Sequence, residues 1–165
     1  MKSLHIAGML ALLTAPLVGA TQVGATTKTA TMQVSATVPA SCTLSTGAMA
    51  FGNLNPSADN TATASVTVNC TAGAIVTLTG DWGSNNTDGY ERRILKSGAG
   101  NVLDYSIWLN NSRTVQFTPS AAAAGTITGN GSDQTITLYG FIAQRNLVNV
   151  APAAFTDTVT LTLTY

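Results

Sequence analysis

Charge is the first thing this sequence lacks. Only 8% of its 165 residues are Asp, Glu, Lys or Arg, with seven of each sign, so the formal net charge is zero. A soluble domain usually carries roughly 25%. Disorder is argued against, because a disordered chain combines high net charge with low hydrophobicity, and 45% of this one is hydrophobic. Nucleic-acid binding is excluded too, since it needs a basic face to displace counterions from phosphates. Histidine is almost missing: His5 is alone. Glutamate is equally scarce, with Glu91 alone, and no carboxylate pair stands at a recognisable spacing for acid–base work. The length suits one domain with a sizeable core.

What is present begins with an address. Met1-Lys2 is a short basic start, Ile6 to Leu13 is apolar apart from Gly8, and Pro16 breaks the run before Val18-Gly19-Ala20. The small residues suit signal peptidase, and the triplet recurs at Val23-Gly24-Ala25, so cleavage falls after Ala20 or Ala25. The apolar stretch is too short to span a bilayer of ~30 Å, and no later segment reads as transmembrane. Export removes His5. The remaining chain then has no imidazole, which excludes Ser-His-Asp and Cys-His catalysis and every His-ligated metal site. No enzyme, cofactor or metal is expected.

Beyond that point hydrophobicity alternates with period two, the signature of strands. From Thr29 to Leu44 every even position is apolar: Ala30, Met32, Val34, Ala36, Val38, Ala40, Cys42 and Leu44. At ~3.3 Å per residue this is about 50 Å of extended chain, far longer than a usual strand. It needs two partners in succession, or one partner inside the domain and another outside it. A second run places Ala62, Ala64, Val66, Val68 and Cys70 on one face. Shorter strands are predicted at Ile75–Thr79, Leu103–Leu109 and Thr135–Ile142, separated by Gly/Asn/Asp turns at Asp81–Gly89, Gly98–Asn101 and Gly125–Asp133. A last strand alternates Val159, Leu161, Leu163 and Tyr165 with threonines. No convincing helix is predicted; Ala121–Ala124 is too short and Gly125 ends it. Seven or so short strands point to an antiparallel, immunoglobulin-like sandwich.

Cys42 and Cys70 both fall on the apolar parity of their runs. In an exported chain, matched parity favours a disulfide between them over free thiols or bridges to another chain. An immunoglobulin-type sandwich also finishes its sheet with a further strand. If the terminal run holds the penultimate place, an apolar edge is left open, and open edges invite strand addition. On this pattern the chain is a strand short at one end and a strand long at the other.

These residues resemble a family. Val38-Pro39-Ala40-Ser41-Cys42-Thr43-Leu44 with Phe51-Gly52 looks like the opening of spore coat protein U domains, the subunits of Csu-type archaic chaperone–usher pili. Val66-Thr67-Val68-Asn69-Cys70-Thr71, then Arg92 or Arg93 with Ile94-Leu95, Leu103-Asp104-Tyr105, Leu138-Tyr139-Gly140 and Asp157 to Tyr165 continue the likeness over about residues 30–165. The sequence departs from the family at Phe141, where a basic residue is frequent, near Phe117, where a Trp-Gly pair is common, and at Ala153-Ala154-Phe155. The resemblance implies an all-β, incomplete immunoglobulin-like sandwich lacking its last strand and completed by donor-strand complementation. It also implies export to a Gram-negative periplasm and a cell-surface fimbria serving adhesion and biofilm formation. The implied partners are a periplasmic chaperone, an outer-membrane usher, and other copies of itself or related pilins. Residues 1–20 are then a signal peptide, 21–36 a donor extension and 37–165 the domain. Ala30, Met32, Val34 and Ala36 become donor side chains, and Val159, Leu161, Leu163 and Tyr165 the acceptor edge.

Other motifs compete. Asp157-Thr158 is half of an aspartic-protease motif, but Val159 stands where Gly is needed, so a turn residue opening the last strand is the better reading. The loop Asp81 to Glu91 is rich in oxygen ligands, yet Gly83, Asn86 and Thr87 spoil the EF-hand spacing, which favours a solvated loop over calcium. Arg92-Arg93 with Lys96 suggests an anion site, against which a solvated face or a guard against aggregation is preferred. Trp82, Tyr90 and Trp108 suggest a sugar-stacking platform, set against core or intersubunit contacts. Asn-x-Thr/Ser triplets at Asn69, Asn85, Asn110 and Asn130 are expected by chance in so Asn- and Thr-rich a chain. The rival to a pilus subunit is a self-contained spore-coat, surface-matrix or carbohydrate-binding sandwich.

Overall fold

The computed structural model describes residues 24–87, 89–120 and 125–165. The proposed signal peptide at 1–20 and the Ala121–Ala124 run lie outside them. The chain divides into two units, Met1–Thr37 and Val38–Tyr165. Of the first, residues 24–37 are described; they form no helix or strand, and their side chains are exposed.

The second unit is all-β and antiparallel. Its strands are β1 (Cys42–Thr46), β2 (Asn60–Cys70), β3 (Ile75–Gly80), β4 (Arg93–Ser97), β5 (Val102–Trp108), β6 (Gly125–Thr128), β7 (Asp133–Ile142), β8 (Phe155–Thr156) and β9 (Leu161–Thr164). A six-stranded sheet runs β1-β2-β7-β5-β4-β8 and a three-stranded sheet runs β6-β3-β9. The helical content described is one 3-10 turn, Gln144–Leu147.

Alternation dictates these strands wherever it is strong. In β2, Ala62, Ala64, Val66, Val68 and Cys70 are buried while the odd-numbered threonines face outward. The same parity in β7 buries Leu138 and Ile142. The two long strands pair from Asn60↔Ile142 to Asn69↔Asp133, which aligns their apolar faces. Val76 and Leu78 of β3 close the core from the second sheet, joined by Leu103, Tyr105 and Ile107 of β5 and by Phe117. Burying each such side chain stabilises the fold by about 1.5–3 kcal/mol.

β1 and β2 are joined by the disulfide Cys42–Cys70, whose Cα atoms lie 4.1 Å apart in directly opposed register. Matched parity was the signal that carried this pairing.

Three strands were not predicted. β4 carries two charges in five residues, β6 lies in what reads as a turn cluster, and β8 has two residues. All three are held by cross-strand partners, β5, β3 and β4 respectively, not by local pattern. The long alternating run is also shorter as a strand than expected. Only Cys42–Thr46 is paired, because β2 runs out as a partner at Cys70 and the chain turns there through Gly73.

Phe117 follows β5 through a tight loop, its N–H donating to the Ile107 carbonyl at 2.9 Å. It is fully buried, and its ring occupies the space any side chain at position 80 would fill, so Gly80 is required by close approach.

Candidate functional site

The two sheets do not close on each other everywhere. β1 is the outer strand of the large sheet and β9 the outer strand of the small one. A cleft of about 250 Å³ opens beside Thr46, Gly47, Ala48 and Met49 on one side and Asp157, Val159 and Leu161 on the other. Its lining includes Ala64, Tyr105, Ile107 and Leu138, all residues of the core. The core is therefore open along one line, between the edges of two sheets. Such an edge leaves backbone N–H and C=O groups without ladder partners beside an apolar trough, the arrangement that accepts an added strand. A second, larger cleft of about 740 Å³ shares Met49, Phe51 and Leu95 with it and is walled by Leu54, Leu147, Val150 and Phe155.

The expected acceptor residues divide. Val159 and Leu161 line the cleft. Leu163 packs against the core opposite Leu78, and Tyr165 is exposed beyond the end of β9. The strand is shorter than the alternation from Thr158 to Tyr165 suggests. Residues 158–160 are held by the loop after β3, where Ser84 N–H donates to the Thr158 carbonyl at 2.8 Å and Asp81 N–H to Thr160 at 3.0 Å. The expected donor residues lie in the other unit; Met32 and Val34 are 87% and 86% exposed.

Asp157 is more than a turn residue. Its carboxylate accepts from the Tyr105 hydroxyl at 2.7 Å, the Asn85 N–H at 3.1 Å and the Ser84 hydroxyl at 3.2 Å. Gly83 allows this convergence: its φ is +90°, and a Cβ there would collide with the carboxylate. Burial, then the bond to Asp157, hold the Tyr105 phenol well above its ordinary value.

Arg93 corrects the reading of a solvated charged face. It is 1% exposed and donates to the Phe117 carbonyl at 2.7 Å and the Gly80 carbonyl at 3.0 Å, with its guanidinium between the rings of Trp82 and Phe117. Burial lowers its pKa below the ordinary arginine value, against the raising influence of Tyr105, Asp81 and Asp157. An arginine always keeps its charge at neutral pH. Arg92 is its opposite: half exposed and paired with Asp104 at 2.9 Å. Lys96 is exposed. The three do not form one anion site.

The polar loop is tied down by its own side chains. Asp81 accepts from Gly83 and Thr160, Asn85 donates to Ile94 and Thr156, and Asn86 donates to Tyr90 and Arg92. No cluster of three or more His, Cys, Asp or Glu able to hold a metal occurs among the described residues. Nor is any described helix long and apolar enough to cross a membrane. The three aromatics do not gather: Trp82 stacks on Arg93, Tyr90 lies exposed near Arg92, and Trp108 stands on the outer face of the large sheet.

A family model described as the Spore Coat Protein U domain matches residues 28–162. The chain belongs to that family. No curated protein sequence matches it. Among solved structures, this Spore Coat Protein U domain is similar to a chain of the CsuC–CsuE chaperone–tip adhesion subunit pre-assembly complex from archaic chaperone–usher Csu pili of Acinetobacter baumannii. The TM-score is 0.59 and the identity 18%, over 78% of this chain and 40% of that one. This chain thus spans about two-fifths of that chain's length. A chain of a chaperone–tip adhesin complex of CFA/I fimbriae biogenesis also matches, at TM-score 0.37 and 13% identity, over 68% of this chain and 37% of that one. The likeness to the Csu complex shows the fold. Family and fold together point to a structural, non-enzymatic Spore Coat Protein U protein.

Proposed function

We propose that this chain is a structural subunit of an extracellular fimbria, exported and assembled by the chaperone–usher pathway through donor-strand exchange. The single observation that carries the reading is the open line in the core between β1 and β9, lined by Val159 and Leu161. An exposed core costs about 25 cal/mol for each Å² of apolar surface left in water, so a strand laid there stabilises the domain. The chain carries a segment suited to the role in a neighbouring copy. Ala30, Met32, Val34 and Ala36 alternate with polar residues, and Met32 and Val34 are exposed. Their spacing of two residues puts all four on one face of an extended strand.

Before assembly a periplasmic chaperone lends the missing strand, and an outer-membrane usher replaces it with the extension of the next subunit. A solved structure of similar fold comes from a chaperone–subunit complex, which supports the first of these partners. Adhesion and biofilm formation follow as roles of the finished fibre. The test is to delete residues 21–36 and express the subunit with its cognate chaperone. Soluble chaperone-bound subunits that form no fibres are expected; fibres from the deleted chain overturn the proposal.

A further inference from the structure

The outer face of the large sheet, on the side away from the cleft, carries a second cluster. Strand register brings its members together across three adjacent strands. Thr63 of β2, Tyr139 of β7 and Trp108 of β5 form one row, and Thr61, Phe141 and Ser106 the next. All of them except Ser106 border a depression of about 380 Å³ that also includes Asp59, Asn111 and Arg113, within the ~300–1,000 Å³ of small-molecule sites. We propose that this depression is a binding site for a neutral saccharide.

Its parts are held in place before any ligand arrives. The indole N–H of Trp108 donates to the Ser106 hydroxyl at 2.8 Å, which fixes the ring. Arg113 sits in a loop clamped by Asn110, whose side chain both donates to the Thr114 hydroxyl at 2.7 Å and accepts from the Thr114 N–H at 3.0 Å. The Arg113 backbone is left-handed, φ 56°, a conformation that a non-glycine residue adopts only at a cost and that gathers at ligand clamps. The result is a guanidinium carbon 3.9 Å from the centre of the Phe141 ring. No hydrogen bond or ion pair to described residues consumes its donors. Asp59 Oδ1 accepts the Gln144 N–H at 2.9 Å, which orients the carboxylate and leaves Oδ2 without a described partner.

This lining selects its ligand. Aromatic faces with negative quadrupoles attract the C–H face of a pyranose ring, while a carboxylate and a forked guanidinium accept from and donate to adjacent hydroxyls. The outward side chains of the depression are aromatic, hydroxyl, amide or charged, and Ala62, whose side chain faces the core, borders it from the strand itself. An apolar protein segment would strand those polar groups. One positive and one negative group leave the site neutral, which disfavours an anionic sugar. Because it lies on the opposite face of the sheet from Val159 and Leu161, the site stays accessible when the cleft is filled.

The experiment is a titration of the full chain, held by its chaperone or in fibres, with cellotetraose, mannotetraose and chitotetraose, using sialyllactose as the anionic comparison. Binding is followed by calorimetry and by saturation-transfer NMR of the sugar. Binding of a neutral oligosaccharide, weakened at least tenfold by Trp108→Ala and by Arg113→Gly, is expected. Glycine accepts φ 56° without strain, so Arg113→Gly keeps the fold, with an unchanged circular dichroism spectrum and melting temperature not lowered. No binding by any neutral probe, binding of sialyllactose alone, or equal binding by the two variants overturns the proposal.

Discussion

The Tyr105 hydroxyl donates a 2.7 Å hydrogen bond to the Asp157 carboxylate. One residue belongs to the centre of the large sheet, the other to the segment that leads into β9. Both also line the cleft between the sheet edges. The cleft's shape therefore depends on a polar bond that the sequence pattern hides, between residues 52 positions apart.

Tyr105→Phe removes that donor and leaves the carboxylate less satisfied. A hydrogen bond to a charged group contributes about 1.5–3 kcal/mol, so thermal melting is expected to fall by several degrees. The wild type has a matching pH signature. Folding raises the Tyr105 pKa, so its contribution is fully present below about pH 10, the unfolded value, and is lost as pH rises beyond it. Alkaline melting curves of wild type should steepen above about pH 10 more than those of Tyr105→Phe. Equal slopes refute this.

Arg93→Lys is expected to fail as a conservative change. The guanidinium fork spans two carbonyls, Gly80 and Phe117, while lying against two rings. An ammonium is a point charge and cannot keep this geometry. Loss of about 2–4 kcal/mol is expected by denaturant unfolding. Arg92→Lys, at a half-exposed pair, should cost less than about 1 kcal/mol.

Reduction of Cys42–Cys70, or Cys42→Ser with Cys70→Ser, releases a loop with a sequence separation of 28. In the chain-entropy model this lowers stability by roughly 3.5 kcal/mol. Because the bond fastens β1, the edge strand beside the cleft, chaperone capture should weaken as well. The check is copurification with the chaperone, with and without reductant.

Met32→Asp with Val34→Asp should leave Val38–Tyr165 folded but block polymerisation. Each carboxylate would have to enter an apolar cleft without a partner, at several kcal/mol apiece. Fibre yield by electron microscopy is expected to drop at least tenfold while chaperone-bound subunit accumulates. Normal fibre yield refutes the assigned donor residues.

Some of this molecule was legible in the sequence. Val66, Val68 and Cys70 announce their inward face by simple alternation, and a period of two is local information. Val159 and Leu161 share one parity for the same reason, and both line the cleft. Leu163 and Tyr165 share that parity but not that fate, because where a strand stops being lined by a cleft depends on its neighbours. β4 was illegible because a buried Arg93 breaks the rule that charge faces water; only two carbonyls and two rings from elsewhere make the burial tolerable. Asp157 looked like a turn residue because its partners, Ser84, Asn85 and Tyr105, are far away in sequence.

By itself the sequence determined the all-β class, the inward parity of the long strands and the cysteine pair. Each follows from the pleat, which sends successive side chains to opposite faces. Tertiary structure alone decided which edges stay open, where the buried cation sits and which aromatics meet. Trp108 shares one depression with Tyr139 and Phe141, not with Trp82 or Tyr90, because strand register and not sequence proximity places residues side by side.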